Sequence, residues 1–347
     1  MKKLVKYISP FAPDQSGACG VLYELGGLLV ICDAGGCAGN ICGFDEPRWL
    51  SRKSAVFSAG LRDMDAILGR DDKLIEKLSL ASSQIYVRFT AMIGTPVPAV
   101  IATDFRALRR MAENATGLKC ISIPCTGTEY YDIGEEKAWS EIFAAFAVEK
   151  YPVKNGKTGI IGATPLETSM ISPDSIISEC IKRGISEPVC YGLSSGLENI
   201  ERASEAEKNL VISLSGIKAA EYLKEKFGTP YEVGFPFIPG NIAEKAGTVR
   251  NKKVLIIHSQ LIANALRDRM DKSNTVDCCT FFMQKPEYSR ECDKIIADED
   301  MLFDIVGSGG YDTVIADGCL KRAFSAAGYD GEYIDFPHFA VSGSLWE

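Results

Sequence analysis

The feature that most constrains this chain of 347 residues is an alternation: short apolar runs that stop at turn formers, each followed by an amphipathic stretch of helical period. Residues 28–31, 85–92, 119–123, 158–161, 188–192, 209–214, 254–258 and 311–317 read as strands. Between them, 71–80, 97–114, 139–149, 173–183, 197–208, 217–227 and 261–270 read as helices. Strand and helix in strict turn predict an α/β protein of stacked doubly wound, Rossmann-like domains with mainly parallel sheets. Residues 1–18 read as an irregular lead-in, broken by Pro10 and Pro13. The polar break Tyr151-Pro152-Val153-Lys154-Asn155-Gly156 separates a domain 1–150 from a middle domain 151–250, with a third over 251–347.

Chemistry concentrates near the start, where Cys19, Cys32, Cys37 and Cys42 stand among glycines with twelve, four and four residues between them. The run Leu28-Leu29-Val30-Ile31 stops at Asp33-Ala34-Gly35-Gly36, and Cys37 follows where a strand end meets a turn. Open α/β sheets place their ligands at such ends. Thiolates on glycine turns suit iron–sulfur clusters, which need sulfur ligands and backbone N–H groups aimed at the sulfides. The spacing is neither the ferredoxin run nor a paired zinc motif, and buried cysteines that merely pack satisfy it equally.

Bulk properties narrow the class. A net charge of −8 argues against nucleic acid, whose phosphates are bound by concentrated Lys and Arg. No apolar run is long enough to span a bilayer, and the basic start leads into Ser9-Pro10 rather than a signal core, so a cytoplasmic protein is expected. In a reducing compartment twelve cysteines ask for metal or redox chemistry rather than disulfides. Only two histidines, His258 and His338, argue against a histidine-built zinc or iron centre.

The usual nucleotide motifs and the nucleophile elbow are missing, and Leu193-Ser194-Ser195-Gly196 reads as a polar loop. Cys278-Cys279, Cys180, Cys190 and Cys319 read as packing residues, Cys292 as a surface one, and His258 as a hydrogen-bonded strand-end residue or one facing a cleft.

The order of these features resembles nitrogenase component 1 and its relatives: cofactor-assembly scaffolds, dark-operative protochlorophyllide reductase and related tetrapyrrole reductases. Cys19-Gly20-Val21-Leu22-Tyr23-Glu24-Leu25-Gly26 resembles the family's first cluster cysteine and the apolar segment after it. Gly35-Gly36-Cys37-Ala38 resembles the second cysteine's Gly-x-x-Gly-Cys, and Ala55-Val56-Phe57-Ser58-Ala59-Gly60-Leu61 the Val-Phe-Gly-Gly segment. Gly94-Thr95-Pro96-Val97-Pro98-Ala99-Val100-Ile101-Ala102-Thr103-Asp104 is similar to Ser-Thr-Cys-Val-Pro-Ala-Leu-Ile-Gly-Asp-Asp, and residues 209–230 resemble the middle domain's strand and helix.

Two departures stand out. Pro96 replaces the third cluster cysteine, and the position at which nitrogenase's catalytic subunit ligates its molybdenum–iron cofactor falls near Ser213. The resemblance therefore implies reduction of an unsaturated substrate other than dinitrogen, a tetrapyrrole being one candidate. It implies a homodimer, or a heteromer with a related component 1-like chain, fed by an ATP-dependent iron protein. Cys19 and Cys37 from two copies would supply the four thiolates of a 4Fe-4S iron–sulfur cluster. Cys125 or Cys42 would complete a larger, P-cluster-like one, with Cys32 ranked behind them. Phe235-Pro236-Phe237-Ile238-Pro239 is a candidate apolar cleft wall. The same cysteines also suit a scaffold that carries a metallocofactor precursor, and a third reading is a cluster-less relative that binds a small ligand.

Overall fold

In the computed structural model, which describes residues 5–52 and 54–346, three consecutive stretches of chain each build one sheet. The first has the order β2-β1-β3-β4, from β1 (Gly27–Ile31), β2 (Ala55–Ser58), β3 (Phe89–Ile93) and β4 (Cys120–Ile123). The second runs β6-β5-β7-β8, from β5 (Lys154–Ile161), β6 (Glu187–Cys190), β7 (Ala206–Val211) and β8 (Tyr231–Val233). The third runs β11-β10-β9-β12-β13, from β9 (Lys253–Ile257), β10 (Thr275–Thr280), β11 (Lys294–Ile295), β12 (Thr313–Ala316) and β13 (Glu332–Asp335). Every pairing is parallel, as the alternation predicts. No helix among the described residues is long and apolar enough to cross a membrane.

Central strands are apolar along their length because helices cover both faces; β1, β3 and β12 are buried at every residue. In each sheet the chain starts in the middle, builds outward on one side and then crosses to the other. The crossover leaves a crevice beyond the carboxyl ends of the first strand and its later neighbour, which is where such folds place ligands. These crevices lie between β1 and β3, β5 and β7, and β9 and β12.

Some local expectations fail for identifiable reasons. The lead-in stops at Pro13, and helix α1 (Asp14–Leu22) starts at once, since proline immediately before a helix costs no hydrogen bond. Glu299 ties the preceding segment down by accepting the backbone N–H groups of Lys6, Tyr7 and Ile8. The helix expected over 97–114 divides into Pro96–Val100 and Phe105–Thr116, because the Asp104 carboxylate caps the second by accepting from the Arg106 and Ala107 N–H groups. The helix expected over 197–208 ends at Glu201, and β7 begins at Ala206. There buried Glu205 pairs with Lys157 of β5 and draws the segment toward the sheet. Cys278 and Cys279 lie in β10 and pack into the layers on its opposite faces, as alternation requires.

The α1 helix lies against the helix Tyr131–Phe146 at backbone contact, with Gly17 and Gly134 at the crossing. This contact fixes the cysteine segment of the first sheet against the other two.

Candidate redox site and the polar junction behind it

At the first crevice Asp33 follows β1 and organises what comes next. One carboxylate oxygen accepts the Ala38 N–H at 2.7 Å and the other the Ser58 hydroxyl at 2.6 Å. The turn into the short helix α2 (Gly36–Asn40) needs Gly35, whose φ of 118° lies in the left-handed region. Cys37 is on α2, half-buried, against the Thr95 hydroxyl, which itself donates to the Cys32 carbonyl at 2.7 Å. A π-helical turn, Ile41–Asp45, carries half-buried Cys42.

The structure brings Cys42 and fully buried Cys19 together, with Asp45 and Glu46 beside them. Burial, then the Glu46 charge, raises both thiols above their ordinary range; burial and Asp33 do the same to Cys37. Thiols so placed stay protonated in the bare chain, and a metal cation at sulfur would draw the proton off. Cys125 follows β4, with its backbone against Gly94. It is enclosed with Asp14 and Lys137, and burial raises its thiol. Cys32 points into the opposite layer with Cys120.

Pro96, where the resemblance places a third cysteine, opens its helix beside the Cys125 loop. A Cβ on Gly127 would meet the Pro96 ring at 2.5 Å and Gln15 Oε1 at 3.3 Å. That oxygen is buried and has no hydrogen-bond partner. Among the described residues no group of three or more His, Cys, Asp or Glu side chains can hold a metal ion. In the same stretch of chain Phe44, Leu50 and Val100 are 75%, 93% and 85% exposed, with Trp49, Val97 and Ile101 partly so. Most exposed large hydrophobic side chains among the described residues fall within residues 44–101.

Sequence reasoning missed the residue that holds this face. Arg48 is fully buried and donates to Glu46 through Nε and Nη2 (2.7 and 2.6 Å), to Glu24 at 2.9 Å and to the Gly20 carbonyl at 2.6 Å. It thus couples the Cys42 turn to α1.

The second and third crevices face each other across a polar junction. Beyond β5 comes Thr164, beyond β7 Ser213 and Ser215, and beyond β9 His258 and Ser259. Glu135, from the helix Tyr131–Phe146, accepts from Thr164 Oγ1 and from Ser215 at 2.9 Å. Glu167, on the short helix Pro165–Thr168, is 2.7 Å from both Ser259 Oγ and the Tyr131 hydroxyl, which lies 3.0 Å from His338 Nε2. The His258 and His338 rings stack at 4.3 Å. Both carboxyls are raised, chiefly by burial, Glu167 from 4.5 to about 7.

The only sequence signal for Glu167 is its capping-box position three residues after Thr164. A large prosthetic group does not fit at Ser213: its side chain bonds Ser215, and the cavity it lines measures about 10 Å3, room for one water. The Phe235–Pro239 stretch is not an open wall either, since Trp346 of this chain packs on Phe235 and Phe237 at 6.1 Å. The Ser194-Ser195 loop is a hydrogen-bonded turn, with Ser194 held by Arg52 at 2.6 Å.

Folding stability should fall as pH rises from about 4.5 to about 7, by roughly 1.4 kcal/mol per unit for each carboxyl proton retained. The folded chain keeps a proton that the unfolded chain has released. Melting curves across that range should show a shallower slope in Glu167→Gln; an unchanged slope would mean that Glu167 ionises freely.

Two solved structures, described as nitrogenase Cp1 at pH 6.5 and nitrogenase Cp1 at pH 5, have the same fold. Their TM-scores are 0.71 and 0.73 at 12% and 13% identity, over 97% and 99% of this chain and 87% and 86% of theirs. No curated protein matches the sequence. A family model covering residues 34–249, most of the chain, matches, and the protein belongs to the nitrogenase component 1 type oxidoreductase family.

Proposed function

We propose that this protein is a nitrogenase-like oxidoreductase subunit that shares an iron–sulfur cluster with a second copy of itself. In this reading it passes low-potential electrons from an ATP-dependent iron protein to an unsaturated substrate other than dinitrogen. One observation supports the reading: half-buried Cys37 and Cys42 and buried Cys19 lie on the segments around the first crevice of a chain that belongs to this family. Two of Cys19, Cys37 and Cys42 from each copy make the four thiolates required, and Cys125 is the reserve ligand. When bound, the cluster supplies one-electron transfer. The chain's own part is to bury the sulfurs, exclude water with the apolar rim and hold the ligand turns through Asp33 and Arg48.

Anaerobic protein should carry roughly four irons and four sulfides per dimer, with an EPR signal on reduction. Serine at Cys37 should abolish it, and serine at Cys19 or Cys42, tested separately, should identify the second ligand. Protein that stays colourless after reconstitution, wild type and variants alike, would overturn the reading and leave small-ligand binding.

A scaffold that carries a cluster to an acceptor is the second reading. The water-sized gap at Ser213 favours it, because that crevice has no room for a large substrate. ATP hydrolysis coupled to reduction separates the enzyme from the carrier, which instead releases its cluster to an apoprotein.

A further inference from the structure

Away from the cysteines and the polar junction, one backbone oxygen receives two positive charges. The Pro236 carbonyl accepts from Arg183 Nη2 at 2.7 Å and from Arg269 Nη2 at 2.8 Å. The two guanidinium nitrogens therefore stand no farther apart than those two distances laid end to end, although like charges repel. They arrive from different layers. Arg183 caps the carboxyl end of Asp174–Lys182, the helix before β6 of the second sheet, and Arg269 follows Gln260–Arg267, the helix between β9 and β10 of the third. Pro236 is on the segment that leads from β8 to the helix Gly240–Thr248 and so joins the two sheets.

The local charge balance is positive. Glu179 takes Arg183 Nε at 3.1 Å and Lys182 Nζ at 3.8 Å. Among the described residues Arg269 has no carboxylate within ion-pair distance, and its one hydrogen bond goes to the Pro236 carbonyl. Three cations thus share a single carboxylate, in a chain whose net charge is −8. Burial, and then the Arg183 charge, lowers the Arg269 guanidinium below its ordinary range despite Glu179. A carbonyl is neutral and leaves that repulsion in place.

Each guanidinium carries five N–H donors in a planar fork. Arg269 has one partner and Arg183 two, so most of both forks is unspent. Both side chains reach solvent, Arg183 being 51% exposed, and an ion can meet them without any opening of the fold. Two forks held this close suit a tetrahedral oxyanion, whose oxygens take charge-assisted hydrogen bonds from both at once. We propose that Arg183 and Arg269 form a binding site for a phosphate-type oxyanion, free or as the ester of a small metabolite, at the link between the second and third sheets.

With the anion in place the repulsion of the pair becomes mutual attraction to a shared charge. The second and third sheets are then braced at their link, on segments that also bound the polar junction. The competing reading is a clamp, in which the two arginines do no more than pin the Pro236 carbonyl. A clamp needs no anion, and this separates the two. Neither depends on the cluster, so metal-free protein suffices for the test, and failure of the redox reading leaves the site untouched.

The melting temperature should rise in sodium phosphate relative to sodium chloride at matched ionic strength, since a ligand that binds only the folded chain stabilises it. Phosphate also stabilises proteins generally by exclusion from their surface, so the quantity to read is the difference between variants. Arg269→Gln should lose the added rise, and Arg106→Gln, an exposed arginine beside the first sheet, should keep it. By titration calorimetry Arg183→Gln and Arg269→Gln should each bind inorganic phosphate at least about tenfold more weakly than wild type. Arg269→Lys, with the charge but not the fork, should also bind more weakly. Glycerol phosphate binding more tightly than inorganic phosphate assigns the ester, and binding more weakly assigns the free ion. Equal melting curves in phosphate and chloride, or a phosphate response that survives in Arg269→Gln, overturn the proposal and leave the clamp. Should Arg183→Gln fail to fold, the wild-type titration and exposed Arg269 still decide.

Discussion

Alanine at Gly134 should remove about 3 kcal/mol or more of folding stability, the upper reach of overpacking effects. A Cβ there would lie 1.7 Å from the Asp14 carbonyl oxygen, and one on Gly17 would lie 1.9 Å from that of Tyr131. Both obstacles are backbone, so no side-chain end can swing aside, and α1 must move off the helix Tyr131–Phe146. The Asp14 carboxylate would then lose the Thr126 and Gly127 N–H groups it now accepts at 2.9 and 2.8 Å. Urea unfolding of Gly134→Ala, Gly17→Ala and the double variant should show two large single losses that do not add, since either one separates the helices. Gly39→Ala is the control. It lies on α2 with nothing within 4 Å of a new Cβ, and should be neutral or gain up to about 1 kcal/mol from helix propensity. An unfolding midpoint in Gly134→Ala equal to the wild type would show that the crossing has slack.

Arg48→Met should cost about 3–5 kcal/mol, the usual result of removing one partner from a buried ion pair. The loss comes chiefly from the carboxylates left behind: Glu46 is only 4% exposed and would keep a charge with no counter-ion. Adding Glu46→Gln to Arg48→Met should therefore recover part of the stability. Lysine should not substitute well, because the guanidinium bonds Glu46 through two nitrogens and lies 4.8 Å over the Tyr23 ring. Peptide-resolved alkylation should report the consequence at the site, with Cys42 reacting faster in Arg48→Met as its turn loosens. An unchanged Cys42 rate together with lost stability would separate Arg48's structural role from any positioning of the cysteines.

Much of the layer structure is legible in the chain, and the misreadings are informative. A buried parallel strand announces itself in a few consecutive apolar residues, so the runs at β1, β5 and β9 are visible without neighbours. The edge strand β2 is half-exposed and carries no such signature. Pro13 reads as a breaker although it introduces α1, and Glu205 falls within the helix expected over 197–208 although it is buried against Lys157 ahead of β7. The cysteines are conspicuous by type and spacing, but their companions are not. That Cys19 meets Cys42 while Cys125 lies with Asp14 depends on how the π turn and α1 stack.

The sequence by itself determined the parallel α/β layers and the family, because strand hydrophobicity, helical period and the order of motifs are local properties of the chain. Only the tertiary structure decided where the buried carboxyls and the sulfurs sit. The contacts that hold Glu167 come from residues 36 and 92 positions away, and His338 joins Tyr131 through a contact spanning 207. A glutamate in isolation reads as a surface charge. It becomes a buried one, its carboxyl raised to about 7, because two sheet crevices close over it and leave it hydroxyl and phenol partners.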